Sequence, residues 1–140
     1  MLEASQLPAI RAIKALKARY FRCIDTRDWQ GMRRVYARDA VMHDEESQAH
    51  WTGRDAIVAG LEHWLSQAVT VHHGHMPEIE ITGPGEARGV WSMFDFVDHP
   101  DFRLEGHGHY HERYVIEDGE WRIAELRLSR LRVARTPRAR

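Results

Sequence analysis

The sequence contains one cysteine, Cys23, and only five prolines among 140 residues. A single cysteine excludes an intramolecular disulfide and a four-cysteine zinc site, and it is typical of a protein from a reducing compartment. No apolar run approaches the roughly 18 residues of a membrane span. The first residues also lack the basic segment and apolar core of a secretory signal. We therefore expect a cytoplasmic protein with no membrane partner.

An excess of one charge is missing as well, because 20 Lys+Arg and 21 Asp+Glu residues leave a net charge of −1. This balance argues against a polyelectrolyte partner such as nucleic acid. It conceals a basic end: residues 127–140 hold six arginines and no acid, so residues 1–126 carry a net charge of −7. We interpret Arg127, Arg130 and Arg132 as strand residues and predict a basic, disordered tail over 135–140.

Histidine is abundant, at ten residues, in an otherwise ordinary soluble composition of 43% apolar and 29% charged residues. Such a composition predicts one globular domain, which we place at residues 1–134. Imidazole titrates close to neutral pH, so the histidines are candidates for proton transfer or metal binding.

The first half of the chain has helical periodicity. Apolar residues recur at steps of three and four from Ser5 to Asp25, which predicts an amphipathic helix capped by Ser5. Asp28 is predicted to cap a second helix over residues 29–36, and a third helix is predicted over residues 53–66.

The second half alternates with a period of two, which predicts four strands over residues 76–82, 86–98, 102–116 and 120–133. Asp118-Gly119 is a typical hairpin turn between the last two. Helices followed by an antiparallel meander predict an α+β fold, with the helices packed on one face of a curved antiparallel sheet.

Tyr20 and Asp25 flank the apolar stripe of the first helix, about 140° apart. Two interpretations of Asp25 stay open. The carboxylate either caps the next turn or pairs with an arginine, or it is partly desolvated and faces a cavity, where it could orient an imidazole or accept a proton.

Two histidine groups are candidates for chemistry. His72 and His73 must point to opposite faces of an extended chain, so at most one of them enters a given cavity. His107, His109 and His111 project to one side of a strand, with the spacing that a zinc or iron site would use. If the opposite, aromatic face lines the core, however, this row points outward.

The predicted strand faces also assign interior residues. Asp95 shares an otherwise apolar face with Trp91 and Met93, so burial requires a partner, for which we expect a histidine on an adjacent strand. Arg130 alternates with apolar residues and is predicted at the mouth of the interior. We expect the substrate to contact Arg130 and the inward side chains of Trp91, Met93, Tyr110, Leu126 and Leu128.

Several motifs together resemble the SnoaL-like superfamily, which includes scytalone dehydratase, and within it they are most similar to bile-acid 7-alpha-dehydratase. The resemblance implies a cone-shaped α+β barrel around an apolar pocket and, by relation to trimeric dehydratases, a homo-oligomer, with a trimer favoured and a dimer possible. The matching segments are residues 12–25 with Asp28-Trp29, His72-x-Gly74-His75-x-Pro77-Glu78-Ile79, Ala87-x-Gly89-x-Trp91-x-x-x-Asp95, and Tyr110-x-x-x-Tyr114-x-x-x-Asp118-Gly119-x-Trp121.

The resemblance also implies site residues. Tyr20, Asp25, His72 and Asp95 match catalytic positions of the dehydratase, and Arg130 matches a pocket arginine. Near Asp44 the dehydratase has a pocket tyrosine, and this sequence departs from it.

These observations predict a cofactor-independent lyase, of the dehydratase type, that acts on a hydrophobic polycyclic or steroid-like carbonyl substrate. His72 would remove a proton while Asp25 or Asp95 fixes its tautomer, and Tyr20 would hydrogen-bond the carbonyl oxygen. Three alternatives stay open: a ketosteroid-type isomerase, a non-catalytic hydrophobic-ligand-binding protein or subunit of the same fold, and a metal-dependent enzyme that uses the outer histidine row. We assign no metal and no cofactor.

Overall fold

The computed structural model describes residues 3–139 as helices on a single sheet. A short 3-10 turn, Ala4–Gln6, leads into the first helix. The three α-helices are α1 (Leu7–Asp25), α2 (Trp29–Val35) and α3 (Arg54–Leu65); the strands are β1 (Tyr36–Asp44), β2 (Ala49–Thr52), β3 (Val69–Gly83), β4 (Glu86–His99), β5 (Phe102–Glu117) and β6 (Glu120–Pro137).

Helix α1 buries the predicted stripe, with Ile13, Leu16 and Ile24 each at most 1% exposed. Its N-terminus differs from the prediction. Ser5 is not the N-cap, because the preceding 3-10 turn contains it and Gln6 takes the cap position without a side-chain hydrogen bond. The turn is closed by a hydrogen bond from the Gln6 amide to the Glu3 carbonyl at 3.0 Å.

Asp28 caps α2 as predicted, since its Oδ1 accepts a hydrogen bond from the Gly31 amide at 2.9 Å. A Cβ at Gly31 would meet both the Asp28 carboxylate and the Cys23 sulfur at 2.6 Å, so the close packing of α1 and α2 depends on this glycine. Helix α2 ends at Val35, and Tyr36 already belongs to β1.

The sheet has six strands in the order β2-β1-β6-β5-β4-β3. It is mixed, because β1 pairs with β6 in parallel while all other neighbours are antiparallel. The expectation of a purely antiparallel four-strand sheet is therefore wrong. β2 has only four residues, and the sequence periodicity identified neither the pairing of β1 with β2 nor that of β1 with β6.

Strand β3 begins at Val69 and not at Met76. Met76 has a positive φ of 44°, and the pairing with β4 shifts between His75 and Glu78. This bulge interrupts the alternation that the sequence shows, which is why the prediction started the strand too late. Thr70 and His72 lie before the bulge and are therefore regular residues of β3.

Strand β6 extends beyond its predicted end at Val133. Arg135 pairs with Leu104 and Pro137 with Phe102, so the predicted tail begins as strand. Arg138 also donates to Asp98 Oδ1 at 2.5 Å, and its amide donates to the Asp101 carbonyl. Arg140, the last residue of the predicted tail, lies outside the described residues.

The helices cover one face of the sheet, with α1 against β3 and β6 and α3 against β1. The α+β prediction is thus confirmed. No helix within residues 3–139 combines the length and the apolarity needed to cross a bilayer.

Candidate active site

A histidine and an aspartate meet where α1 ends against the start of β3. His72 Nδ1 lies 2.7 Å from Asp25 Oδ1. Asp25 is the last residue of α1, and Thr70 and His72 are two residues apart on β3, so both β3 side chains face the helix end.

The Asp25 carboxylate is held by three hydrogen bonds. Oδ1 accepts from the Thr70 hydroxyl at 3.0 Å and from the His72 ring, while Oδ2 accepts from the His72 amide at 2.9 Å. The interpretation of Asp25 as a carboxylate that orients an imidazole therefore fits the structure, rather than a cap or an arginine partner. Thr70 was missed in the sequence, although its spacing from His72 places it on the same strand face.

The contact determines the tautomer of His72. An ionised carboxylate only accepts hydrogen bonds, so Nδ1 must carry a hydrogen, and in the neutral imidazole Nε2 then keeps its lone pair. The His72 side chain is 8% exposed and that of Asp25 is 23% exposed. The pair is thus an oriented base with little access to water.

Asp95 does not bond to a histidine, so that expectation is wrong. His72 and Asp95 are direct partners in the pairing of β3 with β4. Nevertheless, Asp95 Oδ1 accepts from Arg130 Nη1 at 2.7 Å. The arginine reaches it because Gly106 lies between them: a Cβ there would collide with both groups.

Arg130 contacts a second acid, Asp44, whose Oδ2 lies 3.6 Å from Nη2. Burial opposes the positive charge, but the hydrogen bond and charge of Asp95 and the charge of Asp44 outweigh it and raise the pKa of Arg130. The guanidinium stays charged and bridges two strands. Asp44, where the sequence departs from the dehydratase pattern, therefore becomes part of an ion-pair cluster.

Tyr20 and Tyr110 face each other in the interior, with ring centroids 5.9 Å apart and hydroxyls hydrogen-bonded to one another. Burial, followed by nearby charges, raises the pKa of both phenols far above the ordinary value. They stay protonated. One of the two hydroxyl hydrogens is used in the bond between them, so the pair can donate one further hydrogen bond. The Tyr36 ring lies 6.5 Å from Tyr20, and its buried hydroxyl has no partner among the described residues.

Sequence reasoning also missed a buried ion pair. Lys17 Nζ lies 2.8 Å from Glu112 Oε2, and both side chains are fully buried. Glu112 Oε1 accepts from the Tyr114 hydroxyl at 2.8 Å, and that hydroxyl accepts from Trp91 Nε1 at 2.8 Å. The interior is consequently not lined by apolar groups alone.

Comparison with known families decides the classification. A sequence model described as SnoaL-like domain matches residues 5–127. The chain belongs to the SnoaL-like domain family.

Solved structures agree on the fold of this SnoaL-like chain. A putative scytalone dehydratase from Novosphingobium aromaticivorans is 20% identical, with a TM-score of 0.84, over 92% of this chain and 88% of that one. A hexachlorocyclohexane dehydrochlorinase, LinA-type3 from Novosphingobium barchaimii, is 17% identical, with a TM-score of 0.79, over 96% and 92%. A protein of unknown function from Mycobacterium tuberculosis is 26% identical, with a TM-score of 0.79, over 91% and 75%. The predicted cone-shaped fold is confirmed.

The other predicted interior residues of the SnoaL-like fold are buried. Trp91, Met93, Tyr110, Leu126 and Leu128 are each at most 7% exposed. Met93 Sδ lies 4.0 Å from Arg130 Nη1, which ties the apolar lining to the ion-pair cluster.

Two of the depressions formed by the described residues bear on the site. One, of about 430 Å³, lies between α1 and β3 and reaches Asp25 and His72, with Phe21 and Gly74 beside them. The other, of about 740 Å³, lies on the outer sheet face between charged side chains such as Glu78 and Arg127. The first adjoins His72, whereas the second is lined by His111 of the outer row.

The other histidines that the sequence singled out lie on outward strand faces. His73 points outward, as strand parity requires. His107, His109 and His111 lie on the face opposite the buried Tyr110 and Tyr114, so the predicted outward row is confirmed. Within residues 3–139, no group of three or more His, Cys, Asp or Glu side chains is arranged to hold a metal ion.

Proposed function

We propose that this SnoaL-like protein is a lyase that eliminates water from a hydrophobic carbonyl compound, using acid and base groups of its own chain. The observation that carries the proposal is the 2.7 Å contact between His72 and Asp25, which leaves Nε2 as an oriented base. Similarity to a putative dehydratase and to a dehydrochlorinase, both named for eliminations, supports this reaction class.

Proton removal is the first step. His72 Nε2 takes a proton from the carbon next to the carbonyl, and the electron pair of that C–H bond moves onto the carbonyl oxygen. The resulting imidazolium is stabilised by the Asp25 carboxylate. A positioned base of this kind contributes typically 10²–10⁴-fold in rate.

Tyr20 receives the developing charge. Its buried hydroxyl would donate a hydrogen bond to the enolate oxygen in a site that excludes water, where such a bond is strong. The enolate electrons then return to form the carbon–carbon double bond, and the hydroxyl group on the next carbon leaves with the proton from His72. Water is released and the imidazole returns to its neutral form.

Asp95 and Arg130 have a different role from the one the sequence suggested. Because their charges are paired with each other, neither is a free base. We propose that the cluster orients the substrate beside His72, while the apolar side chains of Trp91, Met93, Tyr110, Leu126 and Leu128 contact a polycyclic or steroid-like skeleton.

The test is a screen of polycyclic and steroidal β-hydroxy ketones, followed by mass spectrometry. A product lighter by one water supports the lyase, whereas a product of unchanged mass would replace it with an isomerase. Saturable binding without turnover would identify a ligand-binding protein.

Substitution of the base sharpens the test. His72→Ala should lower turnover at least about 10²-fold. The control is His63→Ala, because His63 is an exposed histidine of α3 outside the depression beside His72, and it should keep wild-type turnover. Equal activity of wild type and His72→Ala would contradict the proposal.

We also propose a cytoplasmic homo-oligomer, with a trimer favoured over a dimer. The support is the lone cysteine and the resemblance to trimeric dehydratases. Native mass spectrometry measures the number of subunits directly.

A further inference from the structure

The most unusual buried group is Lys17, one of only two lysines in the chain. Its side chain has no exposed surface. The ammonium nitrogen lies 2.8 Å from Glu112, 3.7 Å from the centroid of the Tyr20 ring and 3.6 Å from that of Tyr110. A carboxylate and three aromatic rings, the third being Phe21 at 5.0 Å, thus replace the water that surrounds an ordinary lysine.

The partner of Lys17 is equally well satisfied. Each oxygen of Glu112 has its own donor, Lys17 for Oε2 and Tyr114 for Oε1. Trp91 in turn donates to the Tyr114 hydroxyl. Because every member of this hydrogen-bond network has a partner, the ammonium is held rigidly between the Tyr20 and Tyr110 rings.

We propose that Lys17 is a positioning residue for the lyase site, whose charge fixes the Tyr20 and Tyr110 rings and strengthens the one hydroxyl hydrogen that this hydrogen-bonded pair can donate to the substrate oxygen. This inference rests on the proposed function. It assigns to Lys17 a role that acts through Tyr20, without contact between the ammonium and the reacting atoms.

The physical basis is the attraction between a cation and an aromatic face. A phenol that donates to a developing oxyanion gains negative charge on its oxygen and ring, and a cation over the ring stabilises that charge. No water screens this attraction, and it works against the charge of the neighbouring Glu112, which raises the pKa of both phenols. The two rings also cannot tilt away without breaking the contact with the ammonium.

The choice of lysine fits this role. Arginine supplies every other basic residue of the chain except the exposed Lys14. An ammonium is compact enough to contact both rings at under 4 Å, and it can lose its proton, whereas a guanidinium cannot.

This arrangement should respond to pH. Burial lowers the pKa of Lys17 to about 8, although Glu112 opposes the shift. The other titratable groups around this centre are Tyr20 on α1, Tyr110 on β5 and Asp95 on β4; farther off are Tyr36 on β1, Tyr114 on β5 and Arg130 on β6. The tyrosine pKa values are raised, so Lys17 loses its proton before the phenols do. Donor strengthening is therefore present below about pH 8 and lost above it.

The first experiment needs no substrate. Carbon-13 labelling of the two lysines and four tyrosines allows NMR titration of each, with Lys17 assigned through Lys14→Met and the tyrosines through single Tyr→Phe variants. We expect Lys17 to titrate near pH 8 and the Tyr20 and Tyr110 resonances to shift with the same midpoint. Absence of that shared midpoint overturns the inference.

The second experiment uses Lys17→Met/Glu112→Gln, which removes both charges while keeping the shapes and the Tyr114 hydrogen bond. The tyrosine inflection near pH 8 should vanish, and kcat should fall about tenfold or more with KM within about threefold. Lys14→Met, one helical turn earlier and exposed, should keep both properties of the wild type. A double variant that keeps both the kcat of the wild type and the same loss of activity at alkaline pH would also overturn the inference.

The two experiments separate this inference from the proposed function. If the tyrosines follow Lys17 but no elimination is found, the lyase proposal fails while the charge coupling stands. If elimination is found and the tyrosines do not follow Lys17, only the positioning role fails.

Discussion

His72 donates to Asp25 of α1 although Asp95 occupies the position directly opposite it on β4. Asp95 is unavailable because Arg130 holds it at 2.7 Å. Two acids beside one imidazole thus have separate tasks: Asp25 orients the base, and Asp95 neutralises a buried cation. Substitution of Asp25 is therefore expected to affect the chemistry most directly.

Asp25→Asn should lower kcat about 10²-fold or more with a small change in KM. The amide can donate to Nδ1, which would move the hydrogen of His72 to Nε2 and remove the base. Asp39→Asn, on an exposed strand position, is the control and should match the wild type. NMR of the imidazole nitrogens would report the tautomer directly, and an unchanged Nδ1 hydrogen in the variant would contradict the explanation.

Gly106→Ala should separate Arg130 from Asp95, because the added methyl group would collide with both. We expect a loss of about 1–3 kcal/mol in the free energy of unfolding, as for other insertions into packed sites. Gly83→Ala is the control, since its nearest side-chain atom is 3.7 Å from the added carbon. Urea unfolding measures both, and equal stabilities would show that Gly106 does not control the ion pair.

Lys17→Met alone should destabilise the fold by about 3–5 kcal/mol, because it leaves Glu112 as a buried, unpaired charge. The double variant Lys17→Met/Glu112→Gln should recover most of that loss. Chemical unfolding at neutral pH gives both values. A single variant as stable as the double one would mean that Glu112 is protonated or hydrated inside the fold.

Alkaline pH provides a test of the same pair. The pKa of Lys17 is about 8 in the fold against an ordinary value of 10.5, so between these values the unfolded chain binds more protons. The contribution of Lys17 to stability is then least favourable below about pH 8 and rises toward 10.5. The stability of wild type relative to the double variant should increase over that window, and a decrease would contradict the lowered pKa.

The outer histidine row should be dispensable for turnover. The triple variant His107→Ala/His109→Ala/His111→Ala changes only side chains on the face opposite Tyr110 and Tyr114. Activity within about twofold of wild type is expected in the substrate screen. A loss of tenfold or more, restored by added metal, would favour the metal-dependent alternative instead.

Much of this protein follows from sequence periodicity alone. Steps of three and four located α1, and alternation located β4 and most of β5 and β6, because burial of one face imposes a period of 3.6 on helices and 2 on strands. The same parity separated His72 from His73 and oriented the row of His107, His109 and His111.

Other features depend on contacts between distant segments, which no local pattern encodes. The bulge at Met76 concealed the start of β3, and the parallel pairing of β1 with β6 joins strands far apart in the chain. The choice of an acid partner for His72 likewise depends on contacts between distant segments. Asp25 and Asp95 were equal candidates for His72 in the sequence, and the decision depended on whether Arg130 could reach across Gly106.

The sequence by itself thus determined the three helices, the four long strands that follow them, the inward and outward faces and the candidate base, because these depend on spacing along the chain. Only the tertiary structure decided which acid orients His72 and that Lys17 is buried against Glu112. Side chains 95 residues apart in sequence form that ion pair, and only folding brings them together.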